Sequence, residues 1–166
     1  MDQIRLRPLE PDDGALLQEI FDQLGPNSRY QRFLVPKLRL TSYELRVLTA
    51  VDHDQHEAVV ALALPEERPI GVARFVRGAA DPDVAEVAVE VVDSWHRRGI
   101  GSLLIRALVA RAVDLHVEQL AAVMAHDNLA ALRLLHHVPG ELGRVPGNQG
   151  VAEYRLVLRP DLRPAC

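Results

Sequence analysis

The spacing of hydrophobic positions changes several times along the chain, and each change marks an element. Ile4-Arg5-Leu6-Arg7 alternates as a strand does and stops at Pro8. Asp12 and Asp13 offer N-caps to a helix carrying Leu16, Leu17, Ile20, Phe21 and Leu24, which ends at Gly25-Pro26. Residues 27–34 and 41–48 read as two short helices, the second with Thr41 or Ser42 as cap and Glu44 in its first turn. The pattern then becomes nearly continuous. Residues 57–64 form a Val, Ala and Leu run closed by Pro65-Glu66-Glu67-Arg68-Pro69, and residues 70–76 are closed by Gly78 and Asp81-Pro82-Asp83. Residues 84–92 contain only Val, Ala and Glu, with no breaker, and predict the clearest strand. From Ile100 onward, Leu103, Leu104, Leu108, Ala112 and Leu115 fall at helical spacing. Residues 119–125 read as a strand, 128–137 as a helix ended by Pro139-Gly140, and 151–158 as the last strand. The order β-α-α-α-β-β-β-α-β-α-β predicts a mixed α/β layer design in one domain, residues 1–158, with a Pro-rich tail at 159–166.

Composition narrows the function. With 166 residues, 48% of them hydrophobic, the chain can bury one core and has no room for a second domain of ordinary size. The net charge is -4, Lys37 is the only lysine, and the arginines are scattered among acids, which argues against nucleic acid as the main partner. The single cysteine, Cys166, excludes a disulfide within the chain and is poorly placed for a nucleophile. The start lacks a basic n-region, and the apolar runs are too short to span a bilayer, so a soluble cytoplasmic protein is expected. His53-x-x-His56 and His136-His137 lack further ligands at metal spacing, and no Ser sits in a Gly-x-Ser-x-Gly elbow, so neither a metal site nor a serine hydrolase is expected.

One loop carries chemistry. Between the clearest strand and the long helix runs Asp93-Ser94-Trp95-His96-Arg97-Arg98-Gly99-Ile100-Gly101-Ser102. Glycines there let backbone N–H groups approach an anion, and the first-turn N–H groups of the helix have no intrahelical partner. Arg97 and Arg98 add cationic donors, so the segment suits a pyrophosphate. A Walker loop is excluded, since it needs Gly-Lys-Ser/Thr. A dinucleotide fingerprint needs a third glycine, where Leu104 stands. An ordinary strand-to-helix connection would also be served by two glycines.

These residues resemble the signature of the GNAT superfamily of acetyltransferases, Gln/Arg-x-x-Gly-x-Gly/Ala, with His96 in the first position instead of Gln or Arg. Asn128-Leu129-Ala130-Ala131-Leu132-Arg133-Leu134-Leu135 is similar to that superfamily's Asn-x-x-Ala-x-x-Leu-Tyr helix. Ser28-Arg29-Tyr30-Gln31-Arg32-Phe33, Val51-Asp52-His53-Asp54 and Ala85-Glu86-Val87-Ala88-Val89-Glu90-Val91 resemble, more narrowly, the catalytic domain of bacterial Pat-type protein lysine acetyltransferases. The resemblance implies a mostly antiparallel twisted sheet flanked by helices and splayed at its fourth and fifth strands. It also implies acetyl-CoA as co-substrate, no metal, and transfer of acetyl directly to an amine, with a protein lysine favoured. Members of that group often carry a fused regulatory or synthetase-like domain, for which this chain has no room, so regulation is expected to lie outside it.

A lysine amine with a pKa of about 10.4 must lose a proton before it attacks a thioester. Glu86 and Glu90 point to the same face of their strand, with Glu86 roughly 13 Å further from the pyrophosphate. The resemblance implies that the pantetheine arm runs along this strand, which makes Glu86 the expected general base; the alternative for either carboxylate is a solvated edge residue. The backbone N–H groups of Ala88, Val89 and Glu90 are expected to hold the arm and to polarise the thioester carbonyl. His96, Arg97, Arg98, Gly99, Ile100, Gly101 and Ser102 are expected to hold the pyrophosphate, and Asn128 either bonds the pantetheine or caps its helix. Leu135 stands where many family members use a Tyr acid, so no catalytic acid is assigned. Two other readings stay open: a small-molecule amine acetyltransferase, for a polyamine, amino acid or antibiotic, and a non-catalytic acyl-CoA-binding module. Either a monomer or a homodimer is compatible with the sequence.

Overall fold

A computed structural model describes residues 2–146 and 150–159. The strands are β1 (Ile4–Pro8), β2 (His56–Ala63), β3 (Arg68–Arg77), β4 (Val84–Val91), β5 (Gln119–Ala125), β6 (Gly140–Val145) and β7 (Val151–Leu158). The helices are α1 (Gly14–Asp22), α2 (Pro26–Phe33), α3 (Ser42–Thr49), α4 (Ile100–Asp114) and α5 (Leu129–His136). The strands form one seven-stranded sheet in the order β1-β2-β3-β4-β5-β7-β6. Every neighbouring pair is antiparallel except β4 and β5.

The continuous apolar runs become the central strands because both faces are covered. Every residue of β2 is buried. On one face Val59, Ala61, Ala73, Phe75, Ala85 and Val87 pack against Leu104, Leu108 and Ala112 of α4. On the other face Ala58, Val60, Val72 and Val92 meet Leu17 and Ile20 of α1. Alternate residues of one strand therefore serve two different cores.

Two local expectations change and one open choice is resolved. Asp13 precedes α1 but does not cap it; its carboxylate takes two hydrogen bonds from Arg7, at 2.7 and 2.9 Å, and one from the Glu10 N–H. Thr41 does cap α3, in a reciprocal box with Glu44. Strand β6 was not expected, because Pro139, Gly140 and Gly143 interrupt the alternation that marks a strand. The Pro-rich tail lies outside the described residues beyond Arg159. No helix among the described residues is long and apolar enough to cross a membrane.

Candidate active site

The parallel ladder between β4 and β5 is short. Val84, Ala85 and Glu86 face Gln119, Leu120 and Ala121, and then the strands part, although β4 continues to Val91 and β5 to Ala125. A cleft of about 620 Å³ opens there, between β4, β5, α2 and the N-terminal ends of α4 and α5. Its size suits a small-molecule ligand.

The register of β3 and β4 decides which backbone groups face the cleft. Gly78 donates to the Val84 carbonyl and Val92 donates to that of Ile70, so the even-numbered residues of β4 exchange hydrogen bonds with β3. Ala88 and Glu90 thus direct their N–H groups at β3, opposite Arg74 and Val72. Val87 spends its N–H on the Ala121 carbonyl at the end of the parallel ladder, and Val89 and Val91 direct theirs across the fork. Of the three backbone donors expected from the sequence, the antiparallel alternation leaves Val89 facing the cleft, and it adds Val91.

At the cleft's outer end the loop is shaped by two left-handed residues, Arg97 (φ 60°) and Gly99 (φ 80°). Gly99 is the N-cap of α4, and the first intrahelical bond runs from the Leu103 N–H to its carbonyl. The N–H groups of Ile100, Gly101 and Ser102 are therefore free of intrahelical partners at the positive end of a 15-residue helix. A side chain on Gly101 would meet Leu134 Cδ1 at 3.2 Å, so this glycine also lets α4 approach α5.

The two arginines separate. Arg97 lines the cleft, whereas Arg98 stacks over Trp95 at 4.7 Å and pairs with Asp2 at 3.7 Å, outside the cleft lining. Arg98 was expected to hold pyrophosphate; its cation is drawn instead to the indole face and a carboxylate. His96 donates from Nε2 to the Val91 carbonyl at 2.7 Å and ties the loop back to the end of β4. Asn128 lines the cleft and caps α5, its Oδ1 accepting from the Ala131 N–H at 3.1 Å. That use of the oxygen leaves the carboxamide N–H donors for a ligand. Leu135 is buried in the main core at the cleft floor.

Glu86 is exposed and lies outside the residues lining the cleft, at the last paired position before the fork. Glu90 lines the cleft, and its side chain is only 10% exposed. The wall opposite Glu90 comes from α2, through Asn27, Ser28, Gln31 and Arg32, of which the sequence marked the last three only by resemblance. Below Glu90, the buried Arg74 of β3 donates to the Leu48 carbonyl at 2.7 Å and to His56 Nε2 at 3.0 Å. Burial pushes Arg74 down to about 10, and the nearby Arg32 cation acts in the same direction. Among the described residues no cluster of three or more His, Cys, Asp or Glu could hold a metal.

Comparison with known proteins agrees with this geometry. The Acetyltransferase (GNAT) family profile matches residues 17–138. The acetyltransferase Pat of Mycolicibacterium smegmatis is 32% identical over 130 residues, which are 78% of this chain and 39% of that protein's length. The acetyltransferase PA5475 of Pseudomonas aeruginosa is 28% identical over 158 residues, covering 93% of this chain and 84% of that protein. Among solved structures, the GNAT domain of the S. lividans PAT superposes with a TM-score of 0.84 at 24% identity, covering 95% of this chain and 96% of that domain. The chain belongs to the GNAT family of acetyltransferases.

Proposed function

We propose that this chain transfers acetyl from cytoplasmic acetyl-CoA directly to the side-chain amine of a protein lysine, through one catalytic unit spanning residues 1–158. The observation that carries the reading is the fork: β4 and β5 part immediately after Glu86 and Ala121, and the opening leads to the partner-free N–H groups of α4. The similarity to a protein named Pat favours a lysine over a free small amine.

In this reading the N–H groups of Ile100, Gly101 and Ser102, with Arg97, hold the pyrophosphate. Val89, with Val91 beside it, offers backbone bonds to the pantetheine arm, and Asn128 adds its carboxamide donors. An N–H of this strand edge polarises the thioester carbonyl. Glu86 takes the proton from the acceptor ammonium, directly or through water, and its exposure on the α1–α3 side of the sheet leaves it open to an incoming chain. The amine nitrogen then bonds the acetyl carbon while the carbon–sulfur bond breaks. A thiol with pKa near 8.5 leaves readily as thiolate, and water protonates it, so Leu135 need not be an acid.

The test is to incubate the protein with acetyl-CoA and either lysine-containing proteins or a panel of small amines. Free-thiol release would be followed, with mass spectrometry of the products. Acetyl-lysine on protein is expected. Acetylated small amines alone would move the acceptor to that class, and the absence of thiol release with every acceptor would leave only a binding module.

A further inference from the structure

Glu90 is a carboxylate without a proper partner. Its side chain lines the cleft at 10% exposure, yet Oε2 is buried and makes no hydrogen bond among the described residues. Its ion-pair partner is Arg32 of α2, whose Nε lies 3.7 Å from that oxygen, within ion-pairing range but beyond hydrogen-bond reach. Arg74 donates through Nη1 to Leu48 and His56 and feels the Glu90 charge, but its Nη2 is buried without a partner and makes no hydrogen bond to that carboxylate. Facing Glu90 from α2, Gln31 has the same deficiency: its Oε1 is buried and accepts nothing. Its Nε2 is 3.4 Å from Asp127 Oδ1, and that carboxylate fixes which end of the amide is nitrogen. Two buried acceptors on opposing walls, with Asp127 beside them, call for a ligand that brings donors and positive charge. A buried acceptor left unpaired is costly, so an incoming cation gains more here than at a solvated surface.

Glu90 shares its face of β4 with Glu86, four residues away, or about 13 Å along the strand. Resting on the assignment of Glu86 to the reacting amine, we propose that Glu90 and Gln31 form a specificity subsite for a second cationic group of the acceptor. Arg32 occupies the place of that cation in the free protein and swings out when the acceptor brings its own. Arg32 is 16% exposed and close to solvent, so its departure does not require the fold to open. The class of acceptor this favours is a lysine with another basic side chain three or four residues distant on an extended segment, a separation of about 10–13 Å.

Binding separates this inference from catalysis. Two short peptides, each with one lysine and differing only in an arginine or a glutamine four residues from it on either side, would be titrated calorimetrically into the protein saturated with coenzyme A. The arginine peptide is expected to bind about tenfold more tightly, and Glu90→Gln, near-isosteric and uncharged, to erase that ratio. Arg32→Gln, which removes the competing cation, is expected to widen it. Thermal melting would establish that both variants are folded. Equal binding of the two peptides to the wild-type protein overturns the proposal. So does a ratio that survives Glu90→Gln, or a Glu90→Gln protein that loses coenzyme A affinity while keeping the wild-type ratio. If the arginine peptide is preferred but no lysine is acetylated, the subsite stands and the lysine acetyltransferase reading falls. If lysines are acetylated with no regard to the arginine, the reverse holds.

Discussion

Glu86 of β4 and Ala121 of β5 are the last residues to face each other before the two strands separate. Four apolar or small residues follow Glu86 within five positions, and none of them prevents continued pairing by its own chemistry. What parts the strands is their other commitments. β4 stays on β3 as far as Val91 and β5 stays on β7 as far as Ala125, so the divergence of two antiparallel neighbours opens the wedge. The carboxylate at its apex is the one the proposed chemistry needs.

Gly101 carries two duties, and a substitution should expose both. Gly101→Val places methyls toward Leu134, whose Cδ1 lies 3.2 Å from the point a Cβ would occupy, and crowds the N–H groups of the first turn of α4. Acetyl-CoA affinity is expected to fall at least about tenfold, a loss of roughly 1.4 kcal/mol. Gly99→Ala meets no neighbouring atom, but its φ of 80° should cost stability by about 1–2 kcal/mol. Isothermal titration and urea unfolding on the same preparations measure the two effects. Unchanged affinity in a folded Gly101→Val protein would move the pyrophosphate elsewhere.

Leu135 tests the absence of a side-chain acid. It is buried in the main core, so Leu135→Ala should destabilise by about 2–5 kcal/mol, read from chemical denaturation. Leu135→Tyr, where folded, should turn over at a rate close to that of the wild-type protein. A large pH-dependent loss of rate in a stable Leu135→Tyr protein would argue against this helix lying beside the thiol.

Much of this was legible in the chain. The Gly99-Ile100-Gly101 segment after an unbroken Val/Ala/Glu strand marks a strand-to-helix anion site because each feature acts locally. The α2 wall was not legible as a site: Asn27, Ser28, Gln31 and Arg32 form a short polar helix with no buried residue, and only its packing across β4 and β5 gives them a role. Nor can adjacent arginines be told apart in sequence. Arg97 takes a left-handed conformation into the cleft and Arg98 turns to Trp95, a choice made by the tertiary partners. The parity of the β4 N–H groups depends on which neighbour pairs along the whole strand, so sequence alone credits Ala88 and Glu90 with backbone donors that β3 already uses.

Two histidines near the start of β2 should give opposite pH slopes. Burial first, and then Arg74, hold His56 below its ordinary value. Its Nε2 must stay unprotonated to accept from Arg74. A depressed histidine costs no stability above the unfolded value of about 6.5 and loses it as pH falls below that. His53 is raised, chiefly by its hydrogen bond to the buried Glu57 carboxylate, so its contribution is complete below about 6.5 and is lost as pH rises through the folded value. Melting temperatures from pH 5 to 9 are expected to show a shallower acid-side fall in His56→Gln and a shallower alkaline-side fall in His53→Gln. Parallel curves for all three proteins would contradict these assignments.

The most direct test of the central claim is the rate of acetyl transfer by Glu86→Gln across pH, with acetyl-CoA affinity measured alongside. Glutamine keeps the shape and hydrogen-bonding capacity of the side chain at the apex of the fork and removes its basicity. The expected result is unchanged acetyl-CoA binding with a rate lowered about 10²–10⁴-fold near neutrality, the deficit shrinking at high pH as the acceptor amine deprotonates unaided. A Glu86→Gln enzyme that keeps the wild-type rate at neutral pH would contradict the account, and a matching loss in Glu90→Gln would transfer the base to that residue.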